Sequence, residues 1–288
     1  MGCRPRPTHS EEKVIGGRPA VAGELPAVVI YNANDGRCTG TMVTPYLMVT
    51  AHHCIRVSRS EDIVSPSLVT LDLKENQLPV GSKSVIQAGK IFVINSFELS
   101  QRYYVRIEYG HIMDLAIVRW TEPLPVPPIP FANWLPKAKD FAMFAGYGHR
   151  FAVKNPADDR LIEKHVGYNV IFEISNLDDV DPAEITVEGL IDARDEKNDN
   201  LPYNDASTAP GDSGGPLFVF KDGIPYLVGV TSTGLANPVL RQKSMFTHLL
   251  SEPSLKLLES VPELKDTAQK LRQAVSSQRS TQQEPTTK

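Results

Sequence analysis

Residues 210–218 read PGDSGGPLF, with a serine set between an aspartate and two glycines. Glycines at 211, 214 and 215 permit backbone conformations that a Cβ forbids. A loop of this kind can aim successive N–H groups into one small space. That is what stabilising a developing oxyanion requires: donors about 2.7–3.1 Å from the charged oxygen. A glycine turn carrying a solvent-facing serine is the plainer reading, but the six residues GDSGGP are more specific than that.

The local context decides between two architectures. Gly211-Asp212-Ser213-Gly214-Gly215 also fits G-x-S-x-G, the nucleophile elbow that joins a strand to a helix. Here PLFVF follows, which reads as a strand, and YNDASTAP before it does not. His248 and Asp222 lie downstream in the order an elbow enzyme needs, but the local pattern is wrong for one.

A serine hydroxyl is a weak nucleophile and needs a base, which in turn needs an orienting acid. TAHHC (residues 50–54) supplies histidines at 52 and 53. Adjacent strand residues point to opposite faces, so the pair makes a poor metal site. The acid candidate is Asp114 in HIMDLAIVRW, just ahead of an apolar run. A carboxylate buried there needs hydrogen bonds, and an imidazole N–H meets that need. Capping a strand is the alternative role for Asp114.

The rest of the chain reads as short strands. AVVIYN, CTGTMVTPYLMVTAHHC, SLVTLDL, SVIQAGKIFVI and LAIVRW form a first half, about 14–121. Six prolines in residues 122–136, EPLPVPPIPFANWLP, exclude both a helix interior and a central strand, which predicts an extended connector. DFAMFAGYG, YNVIFEI, PLFVF, YLVGVTS and SMFTHLL form a second half, about 137–250. The acidic stretches NLDDVDPAE and DARDEKNDN lack the spacing and glycine of an EF-hand and read as solvated loops. Residues 251–276 read as a helical extension, with a start at Ser260 before Pro262. Leu264, Ala268, Leu271 and Val275 share one face, expected to dock on the second half. Residues 277–288 read as a disordered tail, and residues 1–13 as a flexible leader.

The chain has 288 residues, 41% hydrophobic and 22% charged, with net charge −4. No basic excess suggests nucleic acid, and no apolar run approaches the roughly 20 residues of a membrane span. The leader lacks the apolar core of a signal peptide, so an export signal is expected to be absent or removed. Cys3 is either a lipidation site or an incidental free thiol. Of the three cysteines, Cys38 and Cys54 flank a strand-rich segment and are the natural pair, which points to an oxidising compartment.

His53, Asp114 and Ser213 give the chain order His, Asp, Ser. With VIGG (14–17), TAHHC, DLAIV (114–118) and GDSGGP (211–216), plus a weaker match at AGYG (145–148), the chain resembles the chymotrypsin/trypsin-like serine proteases. The resemblance covers about residues 14–250. It implies an all-β fold of two packed six-stranded β-barrels of the chymotrypsin type, followed by the C-terminal helix.

The resemblance also implies roles. The histidine directly before the cysteine is the catalytic one, so His53 is the base and His52 is left to a structural or rim position. Ser213 is the nucleophile and Asp114 orients the imidazole. The N–H groups of Gly211 and Ser213 form the oxyanion hole. Ser232, Thr233 and Gly234 line the substrate strand. Cys38–Cys54 is the disulfide that tethers the histidine loop. KVIGG (13–17) resembles an activation junction, where cleavage after Lys13 frees a Val14 ammonium to pair with Asp212.

Three departures bear on specificity. Ala209 stands where most relatives have a bridged cysteine. Thr233 replaces a tryptophan, and Ser207 lies at the pocket floor where trypsin-like enzymes carry an aspartate. Ser244 is assigned to the same pocket. An uncharged P1 side chain, apolar or small, is therefore expected. The expected activity is that of a secreted or cell-envelope endopeptidase acting on proteins or peptides, made as a zymogen for an activating protease, with no metal and no cofactor. The alternative is a catalytically silent homologue that uses the groove as a protein-binding module.

Overall fold

A computed structural model describes residues 14–33, 36–56, 63–81, 83–94, 113–148, 163–175, 184–189, 206–236 and 242–282. Cys3, Lys13, residues 283–288 and both acidic stretches, apart from Glu184, lie outside them.

Strands β2 (Val28–Ala33), β3 (Gly36–Met42), β4 (Leu47–Thr50), β5 (Val69–Asp72), β6 (Val85–Phe92) and β7 (Ala116–Trp120) close a barrel in the order β2-β3-β4-β7-β6-β5. The ring shuts where Asn32 pairs with Thr70. Strands β8 (Phe141–Gly146), β9 (His165–Ile174), β10 (Glu184–Gly189), β11 (Pro216–Lys221), β12 (Ile224–Ala236) and β13 (Gln242–His248) form the second barrel, closed by β8 against β9. The short β1 (Arg18–Pro19) adds to β9, which carries the chain start onto barrel two. Two closed antiparallel six-stranded barrels were expected, and the structure has them.

Local chemistry explains individual elements. Asp222 and Gly223, between β11 and β12, have φ of 54° and 76°. Two successive positive φ values define the primed turn that Asp-Gly favours. Strand β10 was not anticipated from sequence. Its burial alternates strictly along EITVEG, with Ile185 and Val187 inward, but only two large apolar residues mark it. The proline-rich segment 122–136 forms no helix and no named strand, and it is stitched to both barrels. Leu124 N–H donates to Pro45 O and Ile129 N–H to Met42 O, while Ala132 N–H donates to Leu227 O.

The C-terminal segment departs from expectation in three ways. It forms two helices, α1 (Glu252–Ser260) and α2 (Lys265–Gln282), joined by a 3₁₀ turn at Pro262–Leu264. Val261 is extended, φ −93° and ψ 115°, as a residue before proline prefers, so the helix breaks there. Ser260 therefore ends a helix, and Ser251 caps the first one by accepting the Ser254 N–H. The second helix also runs through residues 277–282, where a disordered tail was expected. Finally, the pair packs into a core cluster shared by both barrels, not on barrel two alone. Leu255, Leu258, Leu264, Ala268, Leu271 and Val275 join a cluster that holds the barrel-one core together with Phe218, Leu227 and Val230 of barrel two, Glu263 pairs with Arg119 of β7, and Gln278 accepts the Leu135 N–H.

His248 sits where β13 turns into this extension. It is fully buried, and its Nδ1 accepts the Leu250 N–H at 3.2 Å. Burial pushes its pKa down from 6.5 to about 3; the Arg279 charge acts the same way and the Val228 carbonyl opposes. Below pH 6.5 the unfolded chain binds a proton that the folded chain refuses, so stability falls as pH drops from 6.5 toward 3. His248→Gln removes that titration. Between pH 7 and pH 4 its thermal midpoint should fall by less than that of the parent; an equal fall would show that His248 does not titrate on unfolding.

Candidate active site

The site forms where the barrels meet. The turn after β4 is a 3₁₀ turn at His52–Cys54, and Cys54 is bonded to Cys38 of β3, with Cα atoms 6.2 Å apart. This disulfide fixes the turn against β3 and lies beside the imidazole: His53 Nε2 is 3.8 Å from Cys54 Sγ. The two sulfurs and a His53 nitrogen lie within 4.8 Å of one another. The sulfurs are committed to each other, so the cluster offers no thiolate to a metal.

Asp114 stands just before β7, with a side chain only 17% exposed. Its Oδ1 accepts the His53 backbone N–H at 2.8 Å, and its Oδ2 lies 2.7 Å from His53 Nδ1. Ser232 of β12 donates its hydroxyl to Oδ2 at 2.7 Å. Burial works against ionisation of this carboxyl. The bond to the His53 ring, the charge attraction to it, the Ser232 hydroxyl and the His53 N–H outweigh that cost and hold its pKa below the ordinary value. A carboxylate held this way fixes the imidazole with Nδ1 as donor and leaves Nε2 as the ring's acceptor.

The Ser213 loop is pressed against barrel one. Thr39 N–H donates to Ser213 O at 2.9 Å, and the Thr39 hydroxyl donates to Gly211 O and accepts the Tyr147 N–H. Thr39 was not singled out from sequence; a threonine beside a cysteine in a strand carries no signal of this role. Gly211 has φ +100° and Gly214 has φ +81°. A Cβ on Gly214 would lie 2.1 Å from Thr50 Oγ1 and 2.2 Å from Thr39 O. Among the described residues the Ser213 hydroxyl and the Gly211 and Ser213 N–H groups have no hydrogen-bond partner. Catalytic hydrogen bonds are often long in the absence of substrate and tighten with it bound.

Asp212 is 1% exposed. Its carboxylate accepts the N–H of Gly148 at 2.8 Å and of Ala209 at 2.8 Å. The glycines of AGYG make room for it, since a Cβ on Gly146 or Gly148 would strike Oδ1. Val14 is fully buried in the core of barrel two, and Ile15 pairs with Ser207. Lys13 lies outside the described residues. Ser207 and Ser244 are fully buried, and Ser244 Oγ accepts the Thr208 N–H at 2.9 Å. Thr233 is half-buried and Gly234 is exposed.

The elbow arrangement is not built. His248 is buried within the fold, and Asp222 lies in the exposed turn between β11 and β12. A double antiparallel barrel, with a carboxylate-bound histidine and a glycine-lined serine loop at the junction, is the architecture of a chymotrypsin-type serine protease. The trypsin family model matches residues 14–249, and the chain belongs to that family.

Two glycines with similar positive φ separate packing from backbone strain. Gly214 meets barrel one, whereas Gly223, φ +76°, has nothing within 4 Å of an added Cβ. Gly223→Ala should cost about 1 kcal/mol of stability through its backbone alone. Gly214→Ala should cost at least about 2 kcal/mol more by overpacking a rigid junction. Chemical denaturation of both variants measures the gap, and equal costs would refute the packing of this loop against barrel one.

Proposed function

We propose that this protein is a secreted serine endopeptidase working through Ser213, His53 and Asp114. The observation that carries the reading is the hydrogen-bonded His53–Asp114–Ser232 chain beside the Ser213 loop. Ser213 attacks the scissile carbonyl as His53 takes its proton. The tetrahedral oxyanion is held by the N–H groups of Gly211 and Ser213. His53 then delivers the proton to the leaving amine, and water releases the acyl group by the same steps in reverse roles. Asp114 keeps Nδ1 protonated and stabilises the imidazolium. The substrate backbone pairs with residues 232–234 as an added strand. Ser207 at the floor leaves a Lys or Arg side chain without a counter-charge, which favours an uncharged P1. The disulfide fits an oxidising, extracytoplasmic setting.

Activation follows from Asp212. Cleavage after Lys13 by a Lys-specific protease creates a Val14 ammonium. Pairing with the buried Asp212 carboxylate would order the oxyanion loop, and breaking such a pair costs roughly 3–5 kcal/mol. That is enough to couple cleavage to activity. An organophosphonate should label Ser213 in processed protein and fail to label Ser213→Ala. Asp114→Asn should retain the fold and lose on the order of 10⁴-fold in kcat. A labelled protein that cleaves esters but no peptide would refute the endopeptidase reading, and absence of labelling would favour a silent binding module. Separately, Lys13→Gln should stay inactive after exposure to a Lys-specific protease; full activity in this uncleaved variant would refute the zymogen.

A further inference from the structure

Gln242, the first residue of β13, was assigned no role from sequence. It is 5% exposed. Its Nε2 donates to Thr208 O, on the segment that leads from Ser207 to the Ser213 loop. The same nitrogen lies against the opposite strand: a Cβ on Gly234 would sit 2.8 Å from Nε2 and 3.7 Å from Gln242 Cδ. In the strand register Gly234 faces Ser244 and Ala236 faces Gln242, so this side chain reaches back along the sheet toward Gly234.

On the protease reading, to which this inference is tied, the P1 pocket lies between residues 207–213 and the strand 232–234. Its floor is at Ser207 and Ser244. The Gln242 amide thus touches both walls, bonded to one and packed on the other. Its Oε1 is buried and unpartnered among the described residues. The amide is therefore held by the Thr208 carbonyl and by packing, and it adds no charge to the pocket. We propose that Gln242 is a specificity-determining residue that spans the P1 pocket and confines P1 to short uncharged side chains, glycine, alanine or serine. A longer side chain would have to displace this amide and break its bond to the Thr208 carbonyl.

The test uses the full chain processed at Lys13 and peptides identical except for alanine, leucine or phenylalanine at P1. The parent should favour alanine over phenylalanine by about tenfold to a hundredfold in kcat/KM, the discrimination a closed apolar pocket achieves. Gln242→Ala opens the pocket, so its phenylalanine-to-alanine ratio should rise at least about tenfold. Mere loosening of the pocket would instead lower all three substrates together and leave the ratio unchanged, which overturns the proposal. A parent that prefers leucine or phenylalanine overturns it without any variant, so a poorly folding Gln242→Ala does not shield it. If the parent cleaves no peptide and Ser213 takes no phosphonate label, the protease reading falls and this inference with it. Labelling with an unaltered P1 ratio in the variant sinks the role of Gln242 alone.

Discussion

The Asp114 carboxylate is the constraint on which the junction of the two barrels depends. It is partly withdrawn from water and accepts from three donors, two supplied by His53 and one by Ser232. Its backbone carbonyl accepts the Thr247 hydroxyl of β13 at 3.2 Å. One residue of barrel one is thereby tied to two strands of barrel two. A buried carboxylate stripped of those donors would cost several kcal/mol, so the geometry that satisfies it is also the geometry that sets His53. The position of the imidazole is a by-product of solving a solvation problem.

The Ser213 loop meets barrel one on the other side of the same junction, and the requirement there is steric. Gly214 leaves no room for a methyl group against Thr39 and Thr50. Thr39 spends both its N–H and its hydroxyl on residues of barrel two, while the next residue back, Cys38, holds the His53 turn through the disulfide. A displacement of β3 would therefore move both the histidine and the serine. On the proposed mechanism, coupling of this kind holds the two side chains in register without a direct contact between them, which is what proximity catalysis demands.

How legible this was in the sequence depends on where each signal lies. Strands with four or more consecutive apolar or β-branched residues, such as AVVIYN and LAIVRW, stand out by composition. Strand β10 does not, because it follows an acidic run and alternates only twice. Pro262 was read as a helix start when it also forces Val261 to end the preceding helix. That the extension also docks on barrel one and the connector was not readable at all. An apolar face states that a helix is buried but not against what, and the partners here include Arg119 and Leu135, more than a hundred residues away. His53, Asp114 and Ser213 were legible because each sits in a local pattern: a cysteine-linked turn, a carboxylate before an apolar run, a glycine-lined serine. Ser232 followed from the resemblance. Thr39, Thr208 and Gln242 carry no local pattern and acquire roles only through pairing across strands.

The absent second disulfide shows how such unpatterned residues matter. Where most relatives hold the pocket wall with a sulfur bridge at position 209, this chain has Ala209. The wall is instead held through Thr208, whose N–H goes to Ser244 Oγ and whose carbonyl accepts Gln242 Nε2. Both bonds run to β13, so the polar tie joins the residue before Ala209 to that strand. Two hydrogen bonds contribute about 1 kcal/mol each in net stability, less than a typical disulfide of about 2–4 kcal/mol. They are also directional, and one of them comes from the long Gln242 side chain. On the proposed reading of this site, polar ties in place of a covalent one leave the pocket wall less rigid and set the Gln242 amide against it.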